Sequence, residues 1–100
     1  MISGYTINKT RELHNIDQYQ CFLIGAIKHW QNDADITISA LIDIGKFSKV
    51  GSLATIHRAI MRNIEAGFFT IKQHERDKRI KYVALTKKAE KYLTDLNKGA

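Results

Sequence analysis

The sequence predicts a mainly helical domain that carries one small β-hairpin, and two patterns along the chain predict it. Apolar residues recur every three or four positions in four separate segments, which is the spacing of amphipathic helices. Between the last two of these segments the pattern changes to the apolar and alternating runs that are typical of paired strands. With 100 residues the chain can bury one core. We therefore expect a single domain over residues 14–100, preceded by an arm or tail over residues 1–13.

The first predicted helix covers residues 17–29. Asp17 suits its N-cap, and an apolar stripe runs from Tyr19 to Trp30 at helical spacing, so both end residues are expected in the core. The polar segment 31–35 then predicts a loop.

The second predicted helix is short. Thr37 can cap its start, and Gly45 suits a left-handed residue at its C-terminal end. Of the residues that follow, Phe47 or Val50 is expected to plug the core. The linker to the next helix, residues 46–51, is brief.

The third predicted helix has the strongest signals in the chain. Ser52 suits its N-cap, and Gly67 ends it after residue 66. Ile56, Ile60 and Ile64 fall four residues apart and form one apolar face. The opposite face presents polar side chains, among them Thr55, Arg58, Arg62 and Glu65.

The segment after Gly67 predicts a β-hairpin and a last helix. Residues 68–74 are aromatic and β-branched, and residues 79–85 alternate charged and apolar side chains, so each run predicts a strand. Residues 75–78 are all charged and suit the turn. Thr86 can cap a helix over residues 87–97.

This order of elements predicts a winged helix-turn-helix domain, α-α-α-β-β-α. A short helix, a brief linker and a capped helix with an exposed Thr/Arg face form the helix-turn-helix arrangement. We call residues 52–66 the recognition helix. The hairpin beside it, residues 74–81, is called the wing.

The net charge of +6 lies entirely in the second half of the chain. Residues 1–50 hold five basic and five acidic side chains, whereas residues 51–100 hold eleven basic and five acidic ones. Such asymmetry favours a polyanionic partner on one face, although a solvated lysine-rich surface would have the same composition.

The recognition helix carries side chains that suit the major groove of duplex DNA. An α-helix fits this groove, where base edges present distinguishable donors and acceptors. Ser52 and Thr55 lie where hydroxyls and free N–H groups can hold a phosphate. Arg58 can bind a guanine or a phosphate through two parallel hydrogen bonds, and Arg62 suits a phosphate. His57 lies at the flank of this face, and a solvated helix face is the alternative for both arginines.

The wing clusters further cations beside this helix. Arg76, Lys78, Arg79 and Lys81 fall within six residues. Such a loop can reach the DNA backbone or an adjacent minor groove, where narrow A·T tracts deepen the negative potential. Asp77 can orient a neighbouring arginine by a two-point ion pair. An ordinary charged hairpin is the alternative.

The segment from Ser52 to Leu96 resembles the DNA-binding part of MarR-type winged-helix regulators. The resemblance rests on Thr55–Arg58 leading to Ile64–Phe68, on Asp77-Lys78-Arg79, and on Leu85-Thr86 before the last helix. It implies that Asp77 orients Arg79 into the minor groove. Family members are longer, with further terminal helices that build a dimer and often a ligand pocket. The terminal helices are short or missing in this sequence. The resemblance therefore implies only the DNA-binding part of the family, and not its dimer or its ligand pocket.

The remaining residues argue against an enzyme, a metal site or a cofactor. The four histidines are scattered, and no His or Cys falls at the spacing of metal ligands. The glycines are isolated, so no phosphate-binding loop is predicted. No serine has a convincing base partner. We therefore expect a non-enzymatic protein without cofactor.

The single cysteine and the N-terminus bear on location. Cys21 lies in an apolar run, which predicts a buried thiol and a reducing compartment. The N-terminus lacks the charged and apolar regions of a signal peptide, and the longest apolar run is far shorter than a membrane span. We therefore expect a cytoplasmic protein without a membrane partner.

Together these observations predict a sequence-specific, double-stranded-DNA-binding transcriptional regulator. A homodimer through the helices at 17–29 and 87–97 is an open possibility, because these helices carry much of the remaining apolar surface. The candidates for this dimer contact are Tyr19, Phe22, Tyr92, Leu93 and Leu96. Packing in the core of the same chain is at least as good an interpretation for each of them. The competing function is a winged helix that serves as a protein-interaction or replication-complex module. Nonspecific binding of DNA or RNA is the third.

Overall fold

The computed structural model of the chain describes residues 4–30 and 36–98. Within these residues the chain forms five helices and three strands, in the order α1 Gly4–His14, α2 Gln18–Trp30, β1 Ile36–Thr37, α3 Ile38–Phe47, α4 Leu53–Glu65, β2 Phe69–Gln73, β3 Lys81–Leu85 and α5 Lys87–Lys98. The predicted loop at 31–35 lies outside the described residues. No helix in the described part of the chain combines the length and apolar character needed to cross a membrane.

Helix α1 was not predicted. The sequence predicts an arm or tail over residues 1–13, but residues 4–14 are helical and pack against α5. His14 Nε2 lies 2.8 Å from Asp95 Oδ2, and its ring contacts the Tyr92 ring edge-on at 5.2 Å. These contacts reach across the chain, which is why the local sequence pattern does not indicate the helix. The division of the chain into an arm and a domain at residue 14 stays a prediction.

Helix α2 begins as predicted at Asp17, with a reciprocal pair of cap hydrogen bonds. The Gln20 N–H donates to Asp17 Oδ1 at 2.8 Å, and the Asp17 N–H donates to Gln20 Oε1 at 3.1 Å. This is the geometry of a capping box, which satisfies two N–H groups that a helix start leaves free. At the other end Trp30 is 57% exposed, so the expectation of a core tryptophan is wrong.

Helix α3 begins at the predicted cap, because Thr37 Oγ1 accepts from the Ala40 N–H at 3.0 Å. Its end differs from the prediction. Gly45 lies inside the helix, where a Cβ atom would fall 2.9 Å from Ile56 Cδ1, and the left-handed residue is Lys49 with a φ of 55°. Gly45 therefore permits close packing of α3 on α4. Phe47 is 90% exposed and does not plug the core.

Helix α4 has the boundaries that the sequence predicts, within one residue. Ser52 Oγ accepts from the Thr55 N–H at 3.2 Å, and Gly67 adopts a φ of 84° directly after the helix. Ile56 and Ile60 are each 2% exposed, so the predicted apolar face packs inward. The opposite face is left for solvent or a partner.

The three strands form one antiparallel sheet in the order β1-β3-β2. The predicted hairpin is confirmed with slightly shorter strands, and its register places Ile71 opposite Val83. Strand β1 was not predicted; its two residues pair with Val83 and Tyr82 across the sheet. The sheet holds the wing next to α3 and α4.

The core lies where α2, α4, α5 and the sheet meet. Tyr92 and Phe68 are fully buried, with ring centroids 6.3 Å apart. Burial, reinforced by a 2.8 Å hydrogen bond to Cys21 Sγ, raises the pKa of the Tyr92 hydroxyl, which therefore stays protonated. Tyr92 thus belongs to the core of its own chain and is removed from the dimer candidates. Cys21 is half-buried.

Two glycines offer a matched test of this backbone. Gly67→Ala is expected to lower the free energy of unfolding by about 1–2 kcal/mol, because a Cβ disfavours the left-handed φ of 84°. Gly25 lies exposed within α2, where an added Cβ meets no atom within 4 Å. Gly25→Ala is therefore expected to raise the same quantity by about 0.5–1 kcal/mol. Urea unfolding of both variants checks the opposite signs, and a loss in both would contradict the assigned conformations.

Candidate nucleic-acid interface

The N-terminal turn of α4 presents two hydroxyls and free backbone N–H groups. Ser52 caps the helix, and its Oγ lies 3.0 Å from Thr55 Oγ1. Ser52 is exposed and Thr55 half-buried. The first N–H groups of a helix lack intrahelical partners and carry the positive end of the helix dipole. This turn can therefore hold an anionic oxygen.

The two arginines of α4 differ in their surroundings. Arg58 is exposed and has no hydrogen bond or ion pair with any residue that the structure describes. Arg62 instead donates through Nη1 to Asp17 Oδ2 at 2.7 Å, at the start of α2. Arg58 is therefore free to bind a base edge or a phosphate, whereas Arg62 is held against α2 with its remaining N–H groups available.

A buried amide pair lies behind this ion pair and was missed by the sequence analysis. Asn63 is fully buried; its Nδ2 donates to the Gln20 carbonyl at 3.3 Å, and its Oδ1 accepts from Gln20 Nε2 at 3.2 Å. Gln20 also completes the cap at Asp17. One polar network thus fixes α4 against the start of α2. The Asp-x-x-Gln spacing signals the cap, but nothing local signals the contact with Asn63.

A second exposed stripe of α4 contains His57, which faces the wing. Leu53, His57 and Met61 follow one another at intervals of four residues, which places them on one side of the helix. Leu53 and Met61 are half-exposed. His57 lines a groove of about 670 Å³ together with residues from α3 and the wing: Thr37, Ile38, Ser39, Ile42, Arg79, Ile80 and Lys81. The start of α3 and the wing therefore line one concave surface, to which α4 contributes His57.

The wing holds its two central charges in the predicted pair. Arg79 Nε donates to Asp77 Oδ1 at 3.1 Å, and Arg79 Nη2 donates to Asp77 Oδ2 at 3.2 Å. The Arg79 N–H also donates to Asp77 Oδ1, at 3.1 Å. The Arg79 side chain is 90% exposed. The guanidinium is thus oriented by a carboxylate while most of its surface stays open.

This pair affects the acidity of Asp77. Hydrogen bonds from the Arg79 side chain and from its backbone N–H hold the pKa of the Asp77 carboxyl below its usual value. A depressed carboxyl pKa means that the pair persists throughout neutral pH and is lost only as pH falls through the lowered value. Because the pair is solvent-exposed, its effect on stability is small.

The other predicted wing cations, two at the tip and one at the start of β3, have no such restraint from the residues that the structure describes. Arg76, Lys78 and Lys81 are exposed. The Lys78 carbonyl accepts from Gln73 Nε2 at 3.1 Å, which ties the tip to the end of β2. These side chains are available to an anionic partner.

His74 is a wing residue that the sequence analysis did not select. Its Nδ1 accepts from the N–H groups of Arg76 at 3.1 Å and Asp77 at 3.0 Å. Asn or Asp at this position would have signalled such a turn, because their side chains commonly accept these hydrogen bonds. The imidazole here does the same.

Several solved structures are similar to this chain over nearly its whole length. A MarR transcriptional regulator from Methanosarcina mazei Go1 is 26% identical, with a TM-score of 0.71, over 94% of this chain and 63% of that one. A MarR protein from Peptoclostridium difficile DA00132 is also 26% identical, with a TM-score of 0.65, over 90% of this chain and 54% of that one. The S. aureus MepR–DNA complex contains a protein 18% identical, with a TM-score of 0.73, over 94% of this chain and 68% of that one.

These similarities concern the arrangement of the helices, the sheet and the wing. No protein-family model and no curated protein matches the sequence. The chain spans less than two thirds of the length of the Methanosarcina and Peptoclostridium proteins. The chain has the winged helix-turn-helix fold of MarR-type transcriptional regulators, as the sequence predicts.

Proposed function

We propose that this chain is a transcriptional regulator that binds double-stranded DNA in a sequence-specific manner. In the proposed mode, α4 enters the major groove and the wing lies on the backbone or in the adjacent minor groove. The observation that carries the proposal is the groove in which His57 of α4 and the oriented Arg79 of the wing lie together, beside the exposed and unpaired Arg58 that follows His57 on α4.

The residues of α4 divide between positioning and base recognition. Ser52 and Thr55, at the start of the helix, suit a phosphate oxygen. Arg58 lies one turn further along and is unrestrained, so it suits the O6 and N7 acceptors of a guanine. Arg62 is held by Asp17 and suits a backbone phosphate. His57 faces the wing and would contact the groove wall.

The wing supplies the second contact. Asp77 leaves one side of the Arg79 guanidinium open, and such an arginine suits the enhanced negative potential of a narrow A·T minor groove. Arg76 and Lys78 would neutralise phosphates on either side. The likeness in fold to the MepR protein, whose structure is a complex with DNA, supports DNA as the partner.

The proposal extends to location and assembly. A regulator of this kind works where the DNA is, so we include a cytoplasmic location. A homodimer through α2 and α5 would present two recognition helices to two half-sites, as dimeric DNA-binding proteins commonly do. Tyr19, Phe22, Leu93 and Leu96 are only partly buried within the chain and remain candidates for that contact.

One observation favours the alternative of a protein-interaction module. Phe47, Leu53 and Met61 are exposed apolar side chains at or near the helix-turn-helix, with Phe47 90% exposed. Apolar anchors are typical of protein-docking surfaces. The arginines beside them favour DNA.

Fluorescence anisotropy of a labelled random-sequence duplex tests the proposal. If about six phosphates are contacted, the affinity should fall about 1,000-fold between about 50 and 200 mM salt. Selection from a random pool should then yield a preferred sequence. The absence of binding at low salt would refute DNA binding, and binding without any sequence preference would refute a sequence-specific regulator.

A further inference from the structure

We propose that His74 is the positioning residue of the wing: its unprotonated Nδ1 holds the tip in the conformation that presents Arg79. The importance of this role for DNA rests on the function proposed above. We call the hydrogen bonds from the N–H groups of Arg76 and Asp77 to His74 Nδ1 the latch. The latch itself is a property of the free protein.

The hydrogen bonds of the tip form a connected series that starts at this ring. His74 Nδ1 accepts from the Asp77 N–H at 3.0 Å, and the Asp77 carboxylate in turn accepts from Arg79 Nε at 3.1 Å and from the Arg79 N–H. The backbone closes the same loop, because the His74 N–H donates to the Ile80 carbonyl and the Ile80 N–H donates to the Asp77 carbonyl, each at 3.0 Å. His74 therefore fixes the position of Asp77, and Asp77 in turn fixes the position of the Arg79 side chain.

The ring can perform this role in only one protonation state. A neutral imidazole has one acceptor nitrogen and one donor nitrogen, whereas the imidazolium has two donors. Two N–H groups point at Nδ1, from Arg76 and Asp77, so the neutral form with its proton on Nε2 is required. Protonation of Nδ1 would replace two attractive contacts by a repulsion between donors.

The charged groups around the ring have both signs. From its own hairpin, Lys72, Glu75 and Arg76 line a hollow with His74. From β3, the Tyr82 ring lies 6.0 Å away and tilted by 44°. The Asp77 carboxylate interacts electrostatically with the imidazole. An imidazolium would attract this carboxylate in competition with Arg79, and would thereby loosen the pair that the latch maintains.

Two substitutions test whether the acceptor atom, rather than the imidazole ring as a whole, holds the tip. Asparagine carries an oxygen at the position that Nδ1 occupies in histidine, accepts N–H groups in turns, and does not titrate. His74→Asn should therefore preserve the latch at every pH. His74→Ala removes the acceptor and should release the tip. Because the wing is exposed, neither change is expected to unfold the domain.

The first arm of the test is NMR of the full ¹⁵N-labelled chain without DNA, between about pH 5 and pH 8. At the upper pH the ring of the wild-type protein should show an unprotonated Nδ1 and a protonated Nε2. The amide signals of Arg76 and Asp77 should differ between the two ends of this pH range in the wild type, and should be constant in His74→Asn. A ring protonated on Nδ1 at the upper pH, or the same pH dependence of these amides in the wild type and in His74→Asn, would overturn the latch.

The second arm is binding of the same three proteins, at about pH 8, to duplexes that place an A·T or a G·C tract at the expected wing position. His74→Ala should weaken binding to the A·T duplex about tenfold and lose the preference for it, as Arg79→Ala would. His74→Asn should stay within about threefold of the wild type. Unchanged affinity in His74→Ala would overturn the positioning role, whereas a wild type with a normal latch but no DNA binding would refute the proposed function instead.

Discussion

Simultaneous replacement of Arg58 and Arg79 by alanine is expected to reduce the affinity for duplex DNA by about 30- to 1,000-fold. Arg58 is the unpaired cation of α4, and Arg79 is the oriented cation of the wing. Each would lose about 1–2 kcal/mol of binding free energy. Because the two side chains contact different grooves, their losses should be nearly additive. Fluorescence anisotropy at fixed salt measures the effect.

A matched double variant separates this surface from the charge of the whole protein. Lys9 and Lys91 are exposed on α1 and α5, outside the concave surface. Lys9→Ala/Lys91→Ala removes the same two positive charges and should change the affinity by less than about threefold. Equal losses in the two double variants would mean that net charge, rather than α4 and the wing, holds the DNA.

Loss of the buried amide pair is expected to have the largest effect on stability among polar substitutions. Asn63→Ala should lower the free energy of unfolding by about 2–4 kcal/mol, because it leaves the buried Nε2 of Gln20 without its acceptor and opens a cavity. Urea unfolding measures the loss. Asn97→Ala, on the exposed surface of α5, should change the same quantity by less than about 0.5 kcal/mol.

A double-mutant cycle tests whether the two amides act as a pair. Gln20→Ala/Asn63→Ala should cost clearly less than the sum of the single variants, since the second substitution removes the group that the first left unpaired. Strict additivity would contradict the direct contact. A stable Asn63→Ala variant would show that the network is not needed to hold α4 on α2.

The parts of the fold that could be predicted are those whose signals are local. Ser52 and Gly67 mark the two ends of α4 within the sequence itself. Helix α1 carries few apolar side chains, and its position depends on the contact between His14 and Asp95, which are 81 residues apart. Strand β1 has two residues and exists because β3 offers a partner.

The same distinction holds for the candidate site. The pair of Asp77 and Arg79 spans two residues, so its geometry could be anticipated from the sequence. The contact of Arg62 with Asp17 spans 45 residues and depends on how α2 crosses α4, so it could not. His74 is local but was missed, because an imidazole that accepts backbone N–H groups is an uncommon turn signal.

NMR mapping of the ¹⁵N-labelled chain during titration with its selected duplex tests whether α4 and the wing form one DNA-binding surface. The largest amide shifts are expected at the start of α4, around Thr55 and Arg58, and at the wing from His74 to Arg79. The amides of α1 should change little. Shifts that concentrate on α1 and α5, or that leave the wing unperturbed, would show that the DNA binds elsewhere on the chain.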